Sequence, residues 1–186
     1  MNIVETYNDT YMISMKSQIT LKLLGYFFVN PEQKKYVNEL ARDLQIDLGN
    51  LFRKLKEFEN EGILSSEVKG RERYYFLNNN YPLDEFKKIY DRSYGMDKLI
   101  LASLKKVKGI KQAYIFGSFA KGNFGKDSDF DILLVGSHSS LVAQKALLKL
   151  QNDFGREFNI INMDEKEFIR RKKSKDPFII NVLSGK

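Results

Sequence analysis

Apolar positions along the chain follow two different rhythms. Up to about residue 61 they recur every three or four residues, the period of a helix face. Ile19, Leu21, Leu23, Leu24, Phe27 and Phe28 predict a helix over 17–29 that Pro31 ends. Val37, Leu40, Ala41 and Leu44 predict a short helix over about 36–44. Leu51, Leu55 and Phe58 predict a third, from Leu48 to Glu61, with Gly62 as its stop. Two strands, about 63–68 and 72–77, flank a hairpin tip at Lys69-Gly70-Arg71. Residues 82–108 predict one long or two short linking helices, with Gly95 as the break point. The rhythm then changes to short apolar runs, Ala113 to Phe116 and Ile132 to Val135, which predict buried strands. A helix from about Ser139 to Phe154 ends at Gly155, and Glu157–Met163 returns as a strand. Two further helices, 164–173 and Pro177–Leu183, complete the pattern.

The chemistry-bearing stretch lies between the two apolar runs. Residues 117–131 read Gly-Ser-Phe-Ala-Lys-Gly-Asn-Phe-Gly-Lys-Asp-Ser-Asp-Phe-Asp. Gly117-Ser118 ends a strand, where backbone N–H groups and a hydroxyl can receive a phosphate. Asp129 and Asp131 are two apart, so in a strand they share one face across Phe130. Paired carboxylates suit magnesium, a hard ion that takes oxygen ligands and substrate phosphates. Together these parts predict metal-dependent phosphoryl or nucleotidyl transfer.

In this spacing the stretch resembles the nucleotidyltransferase superfamily of the DNA polymerase beta type, in particular its minimal branch. The branch pattern is Gly-Ser, a Gly four residues on, then Ser-Asp-x-Asp; Gly117, Ser118, Gly122, Ser128, Asp129 and Asp131 match it position for position. The resemblance implies two magnesium ions held by Asp129 and Asp131, and an NTP, ATP foremost, whose phosphates rest on Ser118 and the amides around Gly117. Lys121 and Lys126, in the same loop, are candidates to neutralise triphosphate charge. The family places a third carboxylate on a later strand; here that position is Asn159, with Glu157 two residues earlier as a substitute. An amide brings no charge and cannot act as a base.

Residues 37–77 resemble the winged helix-turn-helix of bacterial and archaeal transcription regulators, on the order helix, helix, turn, helix and two-stranded wing. That resemblance places Gly49, Asn50, Arg53 and Lys54 at the start of a recognition helix, where Asn reads adenine and Arg reads guanine. Lys69, Arg71 and Arg73 on the wing are expected at phosphates or the minor groove, with the acids of this half lying elsewhere. The fold expected is α+β. An N-terminal winged helix-turn-helix with an arm takes 1–81 and a linker helix 82–95. A small mixed sheet with helices, of the nucleotidyltransferase type, takes 96–186.

Charge sharpens the division. The chain carries 31 basic and 24 acidic side chains; residues 1–92 balance 14 against 14, and residues 93–186 hold 17 against 10. A basic second half suits phosphate-bearing partners. The absence of cysteine excludes thiolate metal sites, disulfides and thiol catalysis, and one histidine, His138, argues against a His-based zinc site or triad. His138 is read as an exposed residue beginning a helix, and Arg170-Arg171-Lys172-Lys173 as a solvated helix face. No apolar run is long enough to span a bilayer and no signal peptide opens the chain, so the expectation is cytoplasmic, with no membrane partner. The apolar arm, Met1 to Met15, is expected to pack on the linker helices or in a homodimer.

The leading expectation is a magnesium-dependent nucleotidyltransferase joined to a module that binds double-stranded DNA. The resemblance, which extends to antitoxins that modify a partner protein and to antibiotic-modifying enzymes, leaves protein, small-molecule and RNA acceptors open, with a protein acceptor or toxin partner slightly favoured. The rival is a transcription regulator whose nucleotidyltransferase fold is catalytically degenerate and senses nucleotide or dimerises.

Overall fold

A computed structural model describes residues 17–125 and 127–184. The arm from Met1 to Met15, and Lys126, lie outside the described residues.

The first half is built around its helical stripes. α1 (Gln18–Val29), α2 (Val37–Leu44) and α3 (Leu48–Asn60) pack with a three-stranded antiparallel sheet of β1 (Lys35–Tyr36), β2 (Leu64–Lys69) and β3 (Glu72–Leu77), in the order β1-β3-β2. The positions that repeat at helical spacing are those that disappear from solvent: Leu23, Leu24, Phe27, Leu40, Leu44, Leu51, Leu55 and Phe58 close over Ile63, Leu64 and Tyr75. Asp47 caps α3, its carboxylate accepting the Asn50 N–H at 2.9 Å. The hairpin turns on Gly70 and Arg71, and Gly70 takes the positive φ (62°) that tight hairpin turns favour. β1, two residues long, is too short to leave a periodic signal.

α4 (Leu83–Tyr94) and α5 (Met96–Leu104) break at Gly95, where a side chain would meet the Asp91 carbonyl at 2.7 Å. The second sheet has the order β4-β5-β6: β4 (Ile110–Phe116) runs antiparallel to β5 (Phe130–Gly136), and β6 (Phe158–Met163) runs parallel to it. β5 is central and covered on both faces, which explains its unbroken apolar run. Phe130, Ile132 and Leu134 face α5 and α7 (Ser140–Phe154). Leu133 and Val135 face Phe168 of α8 (Glu165–Lys173) and Ile179 and Val182 of α9 (Pro177–Ser184). A four-residue helix, α6 (Gly117–Ala120), follows β4 directly.

The halves share a packed seam. Gly25 on α1 lies so close to α4 and α7 that a Cβ there would sit 2.6 Å from the Tyr90 hydroxyl and 2.7 Å from the Phe154 ring. Asn30, 1% exposed, donates from Nδ2 to the carbonyls of Tyr26 and Phe154, each at 2.9 Å. Among the described residues no helix is long and apolar enough to cross a membrane.

Candidate active site

The register of the second sheet brings the motif together. Phe116, the last residue of β4, lies opposite Asp131, so the turn that follows at Gly117 falls beside the Asp131 side chain. Gly117 has φ 72°, and a Cβ there would stand 2.1 Å from Asp131 Oδ2. The missing side chain is therefore the space into which the carboxylate leans. On its other flank β6 pairs Asp131 with Asn159, and the Asn159 amide donates to Asp131 Oδ1 at 3.0 Å. Asp131, half-buried, leans into space on one side and is hydrogen-bonded on the other. Asp129 precedes β5 and is exposed at the mouth of the loop.

Between the two parts of the motif the chain ties itself into a compact loop. The Asn123 N–H donates to the Ser118 carbonyl at 3.0 Å, and the Gly125 N–H to the Ser128 hydroxyl at 2.9 Å. Ser128 thus acts within the loop, bracing its turn. Phe119 and Phe124 close over Phe130, with ring centroids 4.8 and 4.6 Å away, and Phe130 stacks on Phe158 at 5.1 Å. This aromatic wedge anchors the loop to the sheet. Lys121 and Gly122 are exposed on its outer side; Gly122 has φ 75° with open space around it.

Glu157 is exposed, one residue before β6, and lines a cleft of about 430 Å³ with Tyr26, Lys35, Asp43 and Arg156. Among the described residues no group of three or more acidic, histidine or cysteine side chains gathers into a metal-holding cluster. The donor set is two carboxylates with an amide where a third acid would stand. Oxygen donors of this kind, one leaning into a cradle that a Cβ would fill, fit a hard divalent ion.

Residues 96–184 match the nucleotidyltransferase domain family. The match spans just under half of the chain and includes every motif position from Gly117 to Asp131 as well as Asn159. A search of curated proteins returns no match. One solved structure with likeness to the chain is the crystal structure of a "putative nucleotidyltransferase" from Sulfolobus solfataricus. It is 24% identical, with 39% of this chain and 67% of that chain covered at a TM-score of 0.26. A likeness that loose says nothing about site geometry.

Outside the nucleotidyltransferase segment, the residues singled out on α3 and the hairpin are only partly available. Arg53 is exposed and reaches the Asn50 side-chain oxygen. Lys54, by contrast, has 16% of its side chain exposed, pairs with Glu57 at 2.6 Å and lies over the Phe58 ring. Arg73 donates to Ser66 at 2.7 Å and approaches Glu59 at 3.5 Å, while Lys69 pairs with Glu67 at 3.0 Å. Burial works against ionisation of Glu59, but hydrogen bonds from Lys56 and Ser66 outweigh it and hold its carboxyl below the ordinary range. The acids of this half are therefore threaded among its bases rather than set apart from them. Arg71 stands exposed at the tip.

His138 is corrected too: it lies two residues before α7, half-buried, with Nε2 2.7 Å from the Asn162 side-chain oxygen on β6. Arg156 is the residue that sequence reading passes over. It is 6% exposed at the seam, and its only sequence signal is an arginine between a helix-stopping glycine and an apolar strand.

Proposed function

We propose that this chain is a magnesium-dependent nucleotidyltransferase that takes an NTP, ATP as the first candidate, and transfers its nucleotidyl group to a hydroxyl of an acceptor. The observation that supports this best is Asp131 itself, which leans into the space that Gly117 leaves and is hydrogen-bonded by Asn159, beside the turn proposed for the phosphates. Asp129 and Asp131 would hold the metal. When bound, it supplies charge neutralisation for the triphosphate and activation of the attacking hydroxyl. The protein's own residues orient: Gly117 and Ser118 present amides and a hydroxyl, Ser128 braces the loop, and exposed Lys121 faces the solvent side from which a triphosphate arrives. A protein acceptor or toxin partner fits a fold with no separate acceptor-binding unit among the described residues.

For the first half we propose a winged helix-turn-helix that binds double-stranded DNA. The order helix, strand, helix, helix, hairpin supports it, together with exposed Arg53, its half-buried partner Asn50, and exposed Arg71. With Lys54 and Arg73 committed to intramolecular partners, Arg53 and Arg71 carry the contacts, and binding is expected to be modest and salt-sensitive.

A second reading starts from the same contact. The Asn159 amide spends an N–H on Asp131 where the family expects an acid, which favours a site that binds nucleotide and reports it to the first half without turnover. Labelled ATP with magnesium, mixed with candidate protein and RNA acceptors, separates the two. Label moved by the wild type but not by Asp129→Ala or Asp131→Ala supports transfer. Saturable ATP binding with no label moved supports the sensor, and no binding at all refutes both.

A further inference from the structure

Arg156 joins the two halves through the loop that carries the motif. Gly155 ends α7 with φ 62°, and the chain turns so that Arg156 points back into the seam. Nη2 donates to the Val29 carbonyl at 2.8 Å, and Nη1 to the Ser128 carbonyl at 3.3 Å. The guanidinium lies 5.1 Å over the Phe124 ring. Val29 is the last residue of α1, where carbonyls lack helical partners and the helix dipole favours a cation. Ser128 and Phe124 belong to the loop between Gly122 and Asp129. One buried fork thus holds the end of the first helix and the approach to Asp129 at once. Burial draws the guanidinium's pKa down, and the charges of Asp127 and Asp129 oppose that shift.

We propose that Arg156 is a positioning residue for the loop bearing Ser128 and Asp129, and that through Val29 it makes the end of α1 sensitive to what the loop binds. The proposal rests on the nucleotide reading above for its ligand, but its structural core does not. Apolar packing also joins Val29 to Phe119 and Phe124, while the polar contact from Asn30 to Phe154 touches α7 and leaves the loop alone. Arg156 reaches both. A lysine at this position keeps one positive charge but has no planar fork, so it cannot serve two carbonyls and an aromatic face together.

Hydrogen exchange on the intact chain, with and without magnesium-ATP, tests this in wild type, Arg156→Lys, Asn30→Ala and Phe124→Leu. Without ligand, Arg156→Lys is expected to speed exchange about tenfold or more at 26–30 and at 123–130 together, leaving β2 and β3 unchanged. Asn30→Ala is expected to loosen 26–30 alone. Phe124→Leu removes the platform while keeping both carbonyl bonds, so it guards against a lysine variant that fails to fold; it is expected to loosen the loop and the end of α1 together. Acceleration confined to one of these two segments in Phe124→Leu, or spread over the whole chain in a folded Arg156→Lys, overturns the proposal. With magnesium-ATP, the wild type is expected to gain protection at 26–30 as well as in the loop, and Arg156→Lys in the loop alone. Loop protection that never reaches 26–30 in the wild type overturns the coupling. If ATP protects nothing in the wild type, the nucleotide reading fails, and the ligand-free comparison still decides whether Arg156 positions the loop.

Discussion

Gly117→Ala separates backbone strain from the contact that matters at the site. The position has φ 72°, where an L-residue costs roughly 1–2 kcal/mol. The new methyl would also stand 2.1 Å from Asp131 Oδ2 and 3.1 Å from its carboxyl carbon. Ordinary contact begins near 3.4 Å, so the carboxylate must retreat by roughly 1 Å. Asn159 lies on the opposite flank, so that retreat crowds the carboxylate against the amide now at 3.0 Å, and the present orientation of Asp131 is lost. A displacement of about 1 Å in a positioned catalytic group costs on the order of 100-fold in rate. Gly70→Ala is the matched control. Gly70 has φ 62° with nothing within 4 Å, so it carries the strain without the collision, and it sits at the hairpin tip. Melting curves and ATP-dependent label transfer are measured on both variants. Both are expected to lose a few degrees of Tm, at roughly 2–4 °C per kcal/mol for a chain of this size. Only Gly117→Ala is expected to lose transfer, by about 100-fold. Equal transfer in the two variants would refute a functional need for the space that Gly117 leaves to Asp131.

Asn159→Asp sets a second carboxylate against Asp131, so without a divalent ion one of the pair resists ionisation and stability falls. Magnesium is expected to raise the variant's Tm by at least about 2 °C more than it raises that of the wild type, and equal gains would refute a shared cation site. Gly25→Ala overfills the seam against Tyr90 and Phe154 and is expected to cost about 1–3 kcal/mol by denaturant titration. A loss below about 0.5 kcal/mol would show that the seam relaxes freely. Arg53→Ala is expected to weaken a selected duplex far more than random DNA, and Arg71→Ala to weaken both alike while shallowing the salt dependence by about one unit. Titration at several salt concentrations reads this, and a wild type that shifts no duplex at low salt would refute DNA binding by this half.

The elements were legible where periodicity and a stop residue coincided. α1, α3 and α7 each carry a long apolar face, with Asn30 and Pro31, Gly62 and Gly155 after them, and their expected ends fall within a residue of those observed. β5 was legible because a central strand covered on both faces reads as an unbroken apolar run. β1 has two residues and exists through its pairing with Tyr74 and Tyr75, a tertiary fact that local spacing does not encode. At the site, the turn and the two aspartates were visible in one stretch. That Asn159 would bond Asp131 needed the parallel register of β6, and the role of Arg156 needed the seam. Charge was the least legible part. Lys54 and Arg73 looked available along the chain, but Glu57 on the next turn and Glu59 near the end of α3 claim them in space.

The amide at 159 does more than delete a charge. Across a parallel pair of strands, an acid at 159 would stand against Asp131 and repel it unless a cation lay between them. The asparagine instead donates to Oδ1 while Gly117 leaves Oδ2 its space, so Asp131 is oriented from the sheet before any ion arrives. Orientation is gained and charge is lost. Of the two motif carboxylates, Asp131 is then the one already committed, while exposed Asp129 stays open to an incoming group. An amide accepts no proton, so under the transfer proposed above a proton leaving an acceptor hydroxyl would have Asp129, Asp131 or solvent as its destination, and Asp131 is already bonded by Asn159. The loop before Asp129 therefore sets where that carboxylate stands. Arg156 grips the loop at that point, and Asp129 can be no better placed than the Ser128 carbonyl it holds.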